Sequence, residues 1–218
     1  MIETGLELSK KIYHSHPTGF TGAIIIGKRG VGKSSYALRV IHEVYRHAGM
    51  DPNEAWEKAL SVTLFEIKDV VKFLKKSSRE PEPERVALWD DVGIFASSSM
   101  YFTEQRLVQQ LKGVLDSIRT GVNGLLMTSP TQAGLLGILK SYDDFLIDIK
   151  YTREGGLYRR AIAYQFVTLP SGKKLVHKRF IDHYCVYLPE WVYQQYKTLR
   201  QNALIKGLDR LEKLVKEE

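Results

Sequence analysis

The chain has 218 residues, of which 44% are hydrophobic, enough to bury the core of one α/β domain spanning residues 1–218. No apolar run approaches membrane-spanning length, and residues 1–5 lack the charged-then-apolar pattern of a signal sequence, so we expect a cytoplasmic protein without a membrane span. The single cysteine, Cys185, excludes an internal disulfide framework. The net charge of +7 favours a nucleic-acid partner, although a basic surface without a partner gives the same value.

The first element with a chemical pattern follows a lead-in over residues 1–20. The apolar run Ala23–Ile26 predicts a buried strand, and the helical periodicity from Ala37 to Ala48 predicts an amphipathic helix. Between them stands the sequence Gly27-Lys28-Arg29-Gly30-Val31-Gly32-Lys33-Ser34, which fits the P-loop pattern G-x-x-x-x-G-K-[ST] in the strand–loop–helix context that the pattern requires. The pattern predicts that the chain binds a nucleoside triphosphate.

Each residue type in this loop has a physical role. Glycines permit the tight turn that points backbone N–H groups at phosphate oxygens, and the start of the helix adds its positive dipole end. Lys33 supplies a mobile charge for the outer phosphates, and the hydroxyl of Ser34 can hold Mg²⁺. A glycine-rich turn that binds nothing is the alternative, which the flanking elements disfavour. The residues expected to bind the nucleotide are Gly27, Lys28, Arg29, Gly30, Val31, Gly32, Lys33, Ser34, Ser35 and Ser129.

Two acids follow a second apolar run. Residues 51–80 predict two helices separated by a short strand at 61–65, and Val86–Trp89 then predicts a central parallel strand that ends in Asp90 and Asp91. Downstream of a P-loop, this is the expected form of a Walker B motif, in which Asp90 holds Mg²⁺ through water and its neighbour polarises the attacking water. A turn or helix-cap carboxylate is the alternative, because Gly93 follows closely.

A third buried strand is predicted at Leu125–Met127, after a helix over residues 103–120 that ends near Arg119. Polar residues follow this strand, namely Thr128-Ser129-Pro130-Thr131-Gln132. They either sense the γ-phosphate and position water or cap the helix that comes next, and the residue types fit both roles equally.

The C-terminal third changes to period two from Asp144 onward. This pattern, with a hairpin turn at residues 170–173, predicts antiparallel edge strands over residues 145–188. A helix over residues 190–217 follows Pro189, with a narrow apolar seam that packs either on the body of the protein or on a partner subunit: Leu204, Leu208, Leu211 and Val215.

The order of these motifs over residues 20–150 resembles that of the additional-strand P-loop ATPases. The FtsK/HerA-like DNA-pumping ATPases are the most similar group, and the Asp-Asp-Val-Gly run after the second strand resembles small ATPases of archaeal viruses and plasmids. In that family a polar residue closes the strand after Walker B, a place that Thr131-Gln132, Thr128 or Ser129 could fill. The family usually has Asp-Glu where this chain has Asp90-Asp91.

The resemblance implies an α/β P-loop fold with a largely parallel central sheet, antiparallel edge strands and a long C-terminal helix. It further implies an ATP-driven motor or switch acting on DNA, with ATP and Mg²⁺ as cofactors, Ser34 and Asp90 as metal ligands, and Lys33, Asp90 and Asp91 as catalytic groups. A homo-oligomeric ring would need an arginine donated in trans, for which Arg119 is the candidate; a helix-terminal cation is the alternative role.

Two rival interpretations stay open. A small-molecule P-loop kinase fits the length and the P-loop, but no arginine-rich lid is visible and the β-pattern of residues 145–188 does not resemble a helical lid. A slow nucleotide switch in assembly is the other, and the Asp90-Asp91 pair favours retained hydrolysis over it.

Overall fold

The computed structural model describes residues 5–92, 118–130, 145–152, 156–168 and 174–217. The elements in chain order are α1 (Glu7–Ser15), β1 (Thr21–Ile26), α2 (Lys33–His47), α3 (Pro52–Ser61), β2 (Thr63–Leu64), α4 (Ile67–Ser77), β3 (Ala87–Trp89), a 3₁₀ turn (Ile118–Thr120), β4 (Gly124–Ser129), β5 (Phe145–Tyr151), β6 (Tyr158–Thr168), β7 (Lys174–Cys185) and α5 (Glu190–Glu217).

The described strands form one 7-stranded sheet in the order β2-β3-β4-β1-β5-β6-β7. Strands β1 to β5 pair in parallel with one another, while β6 and β7 pair antiparallel with their neighbours. The expected α/β fold, with its largely parallel sheet and its long C-terminal helix, is therefore confirmed. Strand β4 lies between the P-loop strand β1 and the acid-bearing strand β3, which is the arrangement of an additional-strand sheet.

The expectation that the strands from residue 145 onward are all antiparallel edge strands was wrong for β5. It lies inside the sheet and pairs in parallel with β1, with Ile25 opposite Ile147. Period two reports only that the two faces of a strand differ in burial, and it does not report the direction of the neighbouring strand. Ile147 and Ile149 are buried, whereas Asp148 and Lys150 form an ion pair on the other face.

Hydrophobic cores lie on the two faces of the sheet. The larger one joins residues of α1, α2, α3 and α5 to inward-facing strand residues such as Ile25 and Ile147. The smaller one joins α4 to the opposite face, where Trp89 is fully buried and donates its indole N–H to the carbonyl of Phe65 at 2.9 Å. Because both faces of β1, β3 and β4 are covered, these strands are near-continuous apolar runs.

Helix α5 packs through a different face from the one that the leucine seam predicts. Val192, Tyr196 and Ala203 are buried, whereas Leu204 is 51% and Leu208 is 54% exposed. The expectation that these two leucines pack on the body of the chain was therefore wrong, and a partner subunit stays the alternative for them. The side chains of residues 211 and 215 lie outside the described part. None of the helices described is both long and apolar enough to cross a membrane.

Candidate nucleotide site

The P-loop turns between β1 and α2 as its glycines require. Gly30 has φ +75° and Gly32 has φ +102°, in the left-handed region that favours glycine, and α2 begins at Lys33. A β-carbon at Gly32 would also lie 2.5 Å from Cγ1 of Val186. The position therefore excludes a side chain both by backbone conformation and by space.

Lys33 reaches back over the loop. Its Nζ donates to the carbonyl oxygens of Gly27 at 3.0 Å and Lys28 at 3.1 Å, and the residue is 8% exposed. Burial lowers the pKa of Lys33, although the nearby carboxylates of Asp91 and Asp90 oppose this shift. A partly desolvated ammonium group that is held by carbonyls is ready to exchange them for phosphate oxygens.

Asp90 lies fully buried directly after β3 and accepts three hydroxyl hydrogen bonds. The Ser34 hydroxyl donates to Oδ1 at 3.0 Å, the Thr128 hydroxyl donates to the same oxygen, and the Tyr196 hydroxyl donates to Oδ2 at 2.5 Å. Burial raises the pKa of Asp90, and the charge of Asp91 raises it further, while the hydroxyl donors oppose both effects. The side chain is thus oriented by residues from α2, β4 and α5.

Asp91 has φ +50°, which turns its side chain away from that of Asp90. Its N–H donates to the Thr128 hydroxyl at 2.9 Å, so one threonine orients both acids. Its Oδ2 accepts from the guanidinium of Arg200, at 2.9 Å from Nε and 2.8 Å from the terminal nitrogen. The second acid is therefore held in an ion pair with helix α5.

The structure brings together most of the residues that the sequence assigns to the site. Lys33, Ser34, Asp90 and Asp91 meet at the carboxyl edge of the parallel strands, as a parallel sheet requires. Ser129, the last residue of β4, is buried beside Ile26 in the strand register. The other loop residues surround the anion cradle: Lys28, Arg29 and Gly30 are exposed, Val31 is buried, and Ser35 lies in the first turn of α2.

Arg119 is not part of this group. It is exposed in the 3₁₀ turn that precedes β4, at the amino edge of the sheet, whereas the acids and the P-loop lie at the carboxyl edge. Its action in trans on another copy stays a prediction. Thr131 and Gln132 lie outside the described residues.

Comparisons with known proteins place the chain among viral relatives. No model of a described protein family matches it. Uncharacterized protein B-251 of Sulfolobus spindle-shape virus 1 is 33% identical over 220 residues, which cover 96% of this chain and 86% of B-251. The chain belongs to the same family as B-251. This family also resembles uncharacterized protein ORF286 of Acidianus two-tailed virus, which is 27% identical to the chain over 177 residues, 78% of the chain and 57% of ORF286.

Solved structures with a similar arrangement are all remote. A DnaB-like ATPase domain has a TM-score of 0.45 at 11% identity, covering 80% of this chain and 87% of that domain. The flagellar accessory protein FlaH of Methanocaldococcus jannaschii has a TM-score of 0.41 at 16% identity, covering 83% and 97%. The expected relation to proteins of archaeal viruses is confirmed, the FtsK/HerA-like resemblance stays a prediction, and function is argued below from the site.

Sequence reasoning missed two residues of the site, Tyr196 and Arg200. They lie four residues apart and therefore share one face of α5, where they contact Asp90 and Asp91 respectively. A tyrosine and an arginine at this spacing are ordinary on a helix surface. The path of α5 across the carboxyl edge of the sheet gives them their role, and no local pattern reports that path.

Two further missed residues support the P-loop from β6 and β7. Arg159 donates from Nε to the carbonyl of Val31 at 3.1 Å, and the Tyr184 hydroxyl donates to the carbonyl of Gly32 at 2.9 Å. The guanidinium of Arg159 also lies 4.3 Å from the ring centre of Tyr151. With these carbonyls occupied, the loop is held open with its N–H groups free to face an anion.

Proposed function

We propose that the protein binds ATP with Mg²⁺ at the P-loop and hydrolyses it. The observation that carries this proposal is the contact between Ser34 Oγ and Asp90 Oδ1 at 3.0 Å, because it joins the P-loop to the acid after β3. A hydroxyl and a carboxylate are the hard oxygen donors that Mg²⁺ prefers, so the residues present fit the ion. The buried ammonium of Lys33 beside them fits the phosphates of the nucleotide.

The roles of the residues follow from these contacts. The loop N–H groups bind the phosphate oxygens, Lys33 exchanges the carbonyls of Gly27 and Lys28 for the outer phosphates, and Ser34 with Asp90 holds the metal ion. Bound Mg²⁺ would neutralise charge that develops on the phosphates. Asp91, which is less buried than Asp90, is the group that orients the attacking water.

Asp91 can act on water only after its ion pair with Arg200 opens, because a carboxylate bound to a guanidinium is a weaker proton acceptor. The triphosphate provides the alternative partner for Arg200. The charge of Arg200 already contributes to lowering the pKa of Lys33, which places this guanidinium within electrostatic reach of the phosphate-binding lysine. ATP binding would thus move Arg200 from the acid to the phosphates and release Asp91.

An ATPase assay with matched variants tests the hydrolysis site. Lys33→Ala and Asp90→Ala should each lower the rate of ATP hydrolysis by about a hundredfold or more, because each removes a charge that stabilises the transition state. Lys72→Ala, on the exposed surface of α4, is the matched lysine control and should hydrolyse ATP like the wild type. Wild-type rates in either site variant would refute the assignment.

We propose in addition that ATP turnover drives action on DNA, as a motor or a switch in an archaeal virus. Membership of a family with an archaeal viral protein and the net charge of +7 support this role. Duplex DNA should stimulate ATP hydrolysis, and the stimulation should fall as salt rises. Phosphoryl transfer to a nucleoside monophosphate without a DNA effect would instead favour a small-molecule kinase.

Assembly into a homo-oligomer is the remaining part of the proposal. The exposed Leu204 and Leu208 on α5 offer an apolar face, and Arg119 would complete the site of a neighbouring copy. The mass of the particle, measured with and without ATP and Mg²⁺, tests this. A monomer under both conditions would refute a ring and the trans role of Arg119 together.

A further inference from the structure

The basic excess of the chain is concentrated in one hairpin. Residues 155–181 contain no Asp or Glu. The same stretch contains most of the cations that the net charge of +7 requires, namely Arg159, Arg160, Lys173, Lys174, Lys178 and Arg179. A cluster of this kind on one element is the electrostatic footprint of a polyanion partner.

The outer part of this hairpin leaves the sheet as a two-stranded ribbon, which we define as residues 165–168 and 174–179. Strand β5 pairs with β6 only as far as Tyr164, while β6 and β7 remain paired to Thr168 and Lys174. The ribbon is therefore flanked by no further strand in the described part of the chain. A two-stranded β-ribbon has the width that the major groove of duplex DNA admits.

Both faces of the ribbon are accessible. Val176, His177, Lys178 and Arg179 are consecutive and all exposed, and successive side chains of a strand point to opposite faces. Arg179 Nε donates to Oε1 of Gln165 on the paired strand at 3.0 Å, which orients its guanidinium at the surface. The cations are thus presented on a paired backbone, a rigid support for phosphate contacts.

The base of the same hairpin is bound to the P-loop. Arg159 and Tyr184, opposite each other in the β6–β7 register, donate to the carbonyls of Val31 and Gly32. Arg39 of α2 donates from Nε to the carbonyl of Cys185, the last residue of β7, at 2.7 Å. A displacement of the ribbon is therefore transmitted to the backbone of the nucleotide loop.

We propose that the β6–β7 ribbon is the site that binds duplex DNA, through the phosphates that border the major groove, and that its base couples this binding to the P-loop. The coupling rests on the proposed ATPase function, whereas the binding site does not. The basic side chains supply affinity without sequence selection, since phosphate contacts carry no sequence information.

A charge-matched pair of variants of the full chain tests the binding site without nucleotide. Lys178→Gln/Arg179→Gln removes two cations from the ribbon, and Lys75→Gln/Lys76→Gln removes two from the exposed surface of α4. Binding of a labelled short duplex is measured by fluorescence anisotropy between about 50 and 200 mM salt. The ribbon variant should bind more weakly, and the slope of log K against log salt should become shallower by about 2, roughly 0.9 for each lost phosphate contact.

The α4 variant should keep the wild-type affinity and salt slope, and both variants should unfold at the wild-type temperature. Equal losses in the two variants, or no loss in the ribbon variant, would overturn the proposal. So would a wild-type chain that does not bind the duplex but binds vesicles with anionic lipids through the same two residues. DNA binding with the expected slopes in a chain that lacks ATPase activity would retain the ribbon and refute only the proposed hydrolysis.

Tyr184→Phe tests the coupling, because it removes the hydroxyl that holds Gly32 and leaves the ribbon surface unchanged. The variant should bind duplex DNA with wild-type affinity. The ratio of its ATPase rates with and without DNA should fall towards one. A wild-type ratio would overturn the coupling, whatever the basal rate of the variant.

Discussion

The hydroxyl of Tyr196 is the contact through which helix α5 reaches the metal-binding acid. It donates to Oδ2 of Asp90 at 2.5 Å, the tyrosine is 7% exposed, and the carboxylate is fully buried. Tyr196→Phe removes this donor and changes little else in shape. The substitution therefore leaves a buried carboxylate with only the hydroxyls of Ser34 and Thr128, both of which donate to the other oxygen.

The expected loss follows from the kind of bond. A hydrogen bond to a charged group contributes about 1.5–3 kcal/mol to the free energy of unfolding, and one between neutral groups about 0.5–1.5 kcal/mol. At pH values where Asp90 is ionised we expect the larger loss. In a chain of this length it lowers the melting temperature by roughly 3–12 °C, since each kcal/mol corresponds to about 2–4 °C.

The pH dependence has a definite sign. The pKa of Asp90 is raised above the ordinary aspartate value of 3.8 by burial, and by the charge of Asp91, so ionisation of Asp90 as pH rises destabilises the folded chain. Loss of the Tyr196 donor raises this pKa further. The stability difference between Tyr196→Phe and the wild type should therefore be largest above the raised pKa and shrink as pH falls towards 3.8. In an Asp90→Asn background it should stay within the neutral range at every pH.

Tyr193→Phe is the matched control. Tyr193 lies on the same helix, is 47% exposed, and its hydroxyl has no hydrogen bond within the part of the chain that is described. Its substitution should change the free energy of unfolding by less than about 0.5 kcal/mol. Thermal and denaturant unfolding of both variants across pH make the comparison. Equal stabilities of the two variants, or a Tyr196→Phe deficit that grows as pH falls, would refute the assignment of α5 to Asp90.

Two further predictions concern the loop and the second acid. Gly32→Ala should weaken ATP binding more than Gly49→Ala does, although both glycines have positive φ, because only the β-carbon at position 32 collides with Val186; isothermal titration with ATP measures this, and equal affinities would contradict it. Arg200→Gln should change the free energy of unfolding by less than about 1 kcal/mol, since its ion pair with Asp91 is solvent-exposed on the arginine side. It should lower affinity for ATP more than affinity for ADP if the guanidinium moves to the γ-phosphate, and parallel losses for the two nucleotides would refute that movement.

The parts of the fold and site that sequence predicted are those whose determinants are local. The loop Gly27–Ser34 carries its own glycines and lysine, and Asp90 and Asp91 directly follow an apolar run. Because parallel strands deliver their carboxyl ends to one edge, these local patterns were enough to predict that the P-loop and the acids meet. The direction of β5 was missed, since its pairing with β1 leaves the same period-two burial as an antiparallel pairing would.

The contacts of α5 could not be predicted for a different reason. Tyr196 and Asp90 are 106 residues apart in the chain, and Arg200 and Asp91 are 109 apart. A heptad-like leucine pattern indicated another face of the helix as the packed one. Val192, Tyr196 and Ala203 bury a stripe that contains only one aliphatic residue larger than alanine, so hydrophobic periodicity underestimates it. Polar contacts with the site orient this helix as much as apolar burial does.

Both elements that complete the site lie after residue 157, beyond the motifs themselves. Helix α5 occupies the acids through Tyr196 and Arg200, and the base of β6 and β7 occupies the P-loop carbonyls through Arg159 and Tyr184. A ligand on the ribbon acts on the phosphate-binding side of the site, whereas a partner on the exposed face of α5 acts on the acid side. Binding at these two surfaces should therefore have separable effects, with the ribbon changing ATP affinity and the helix changing the hydrolysis step.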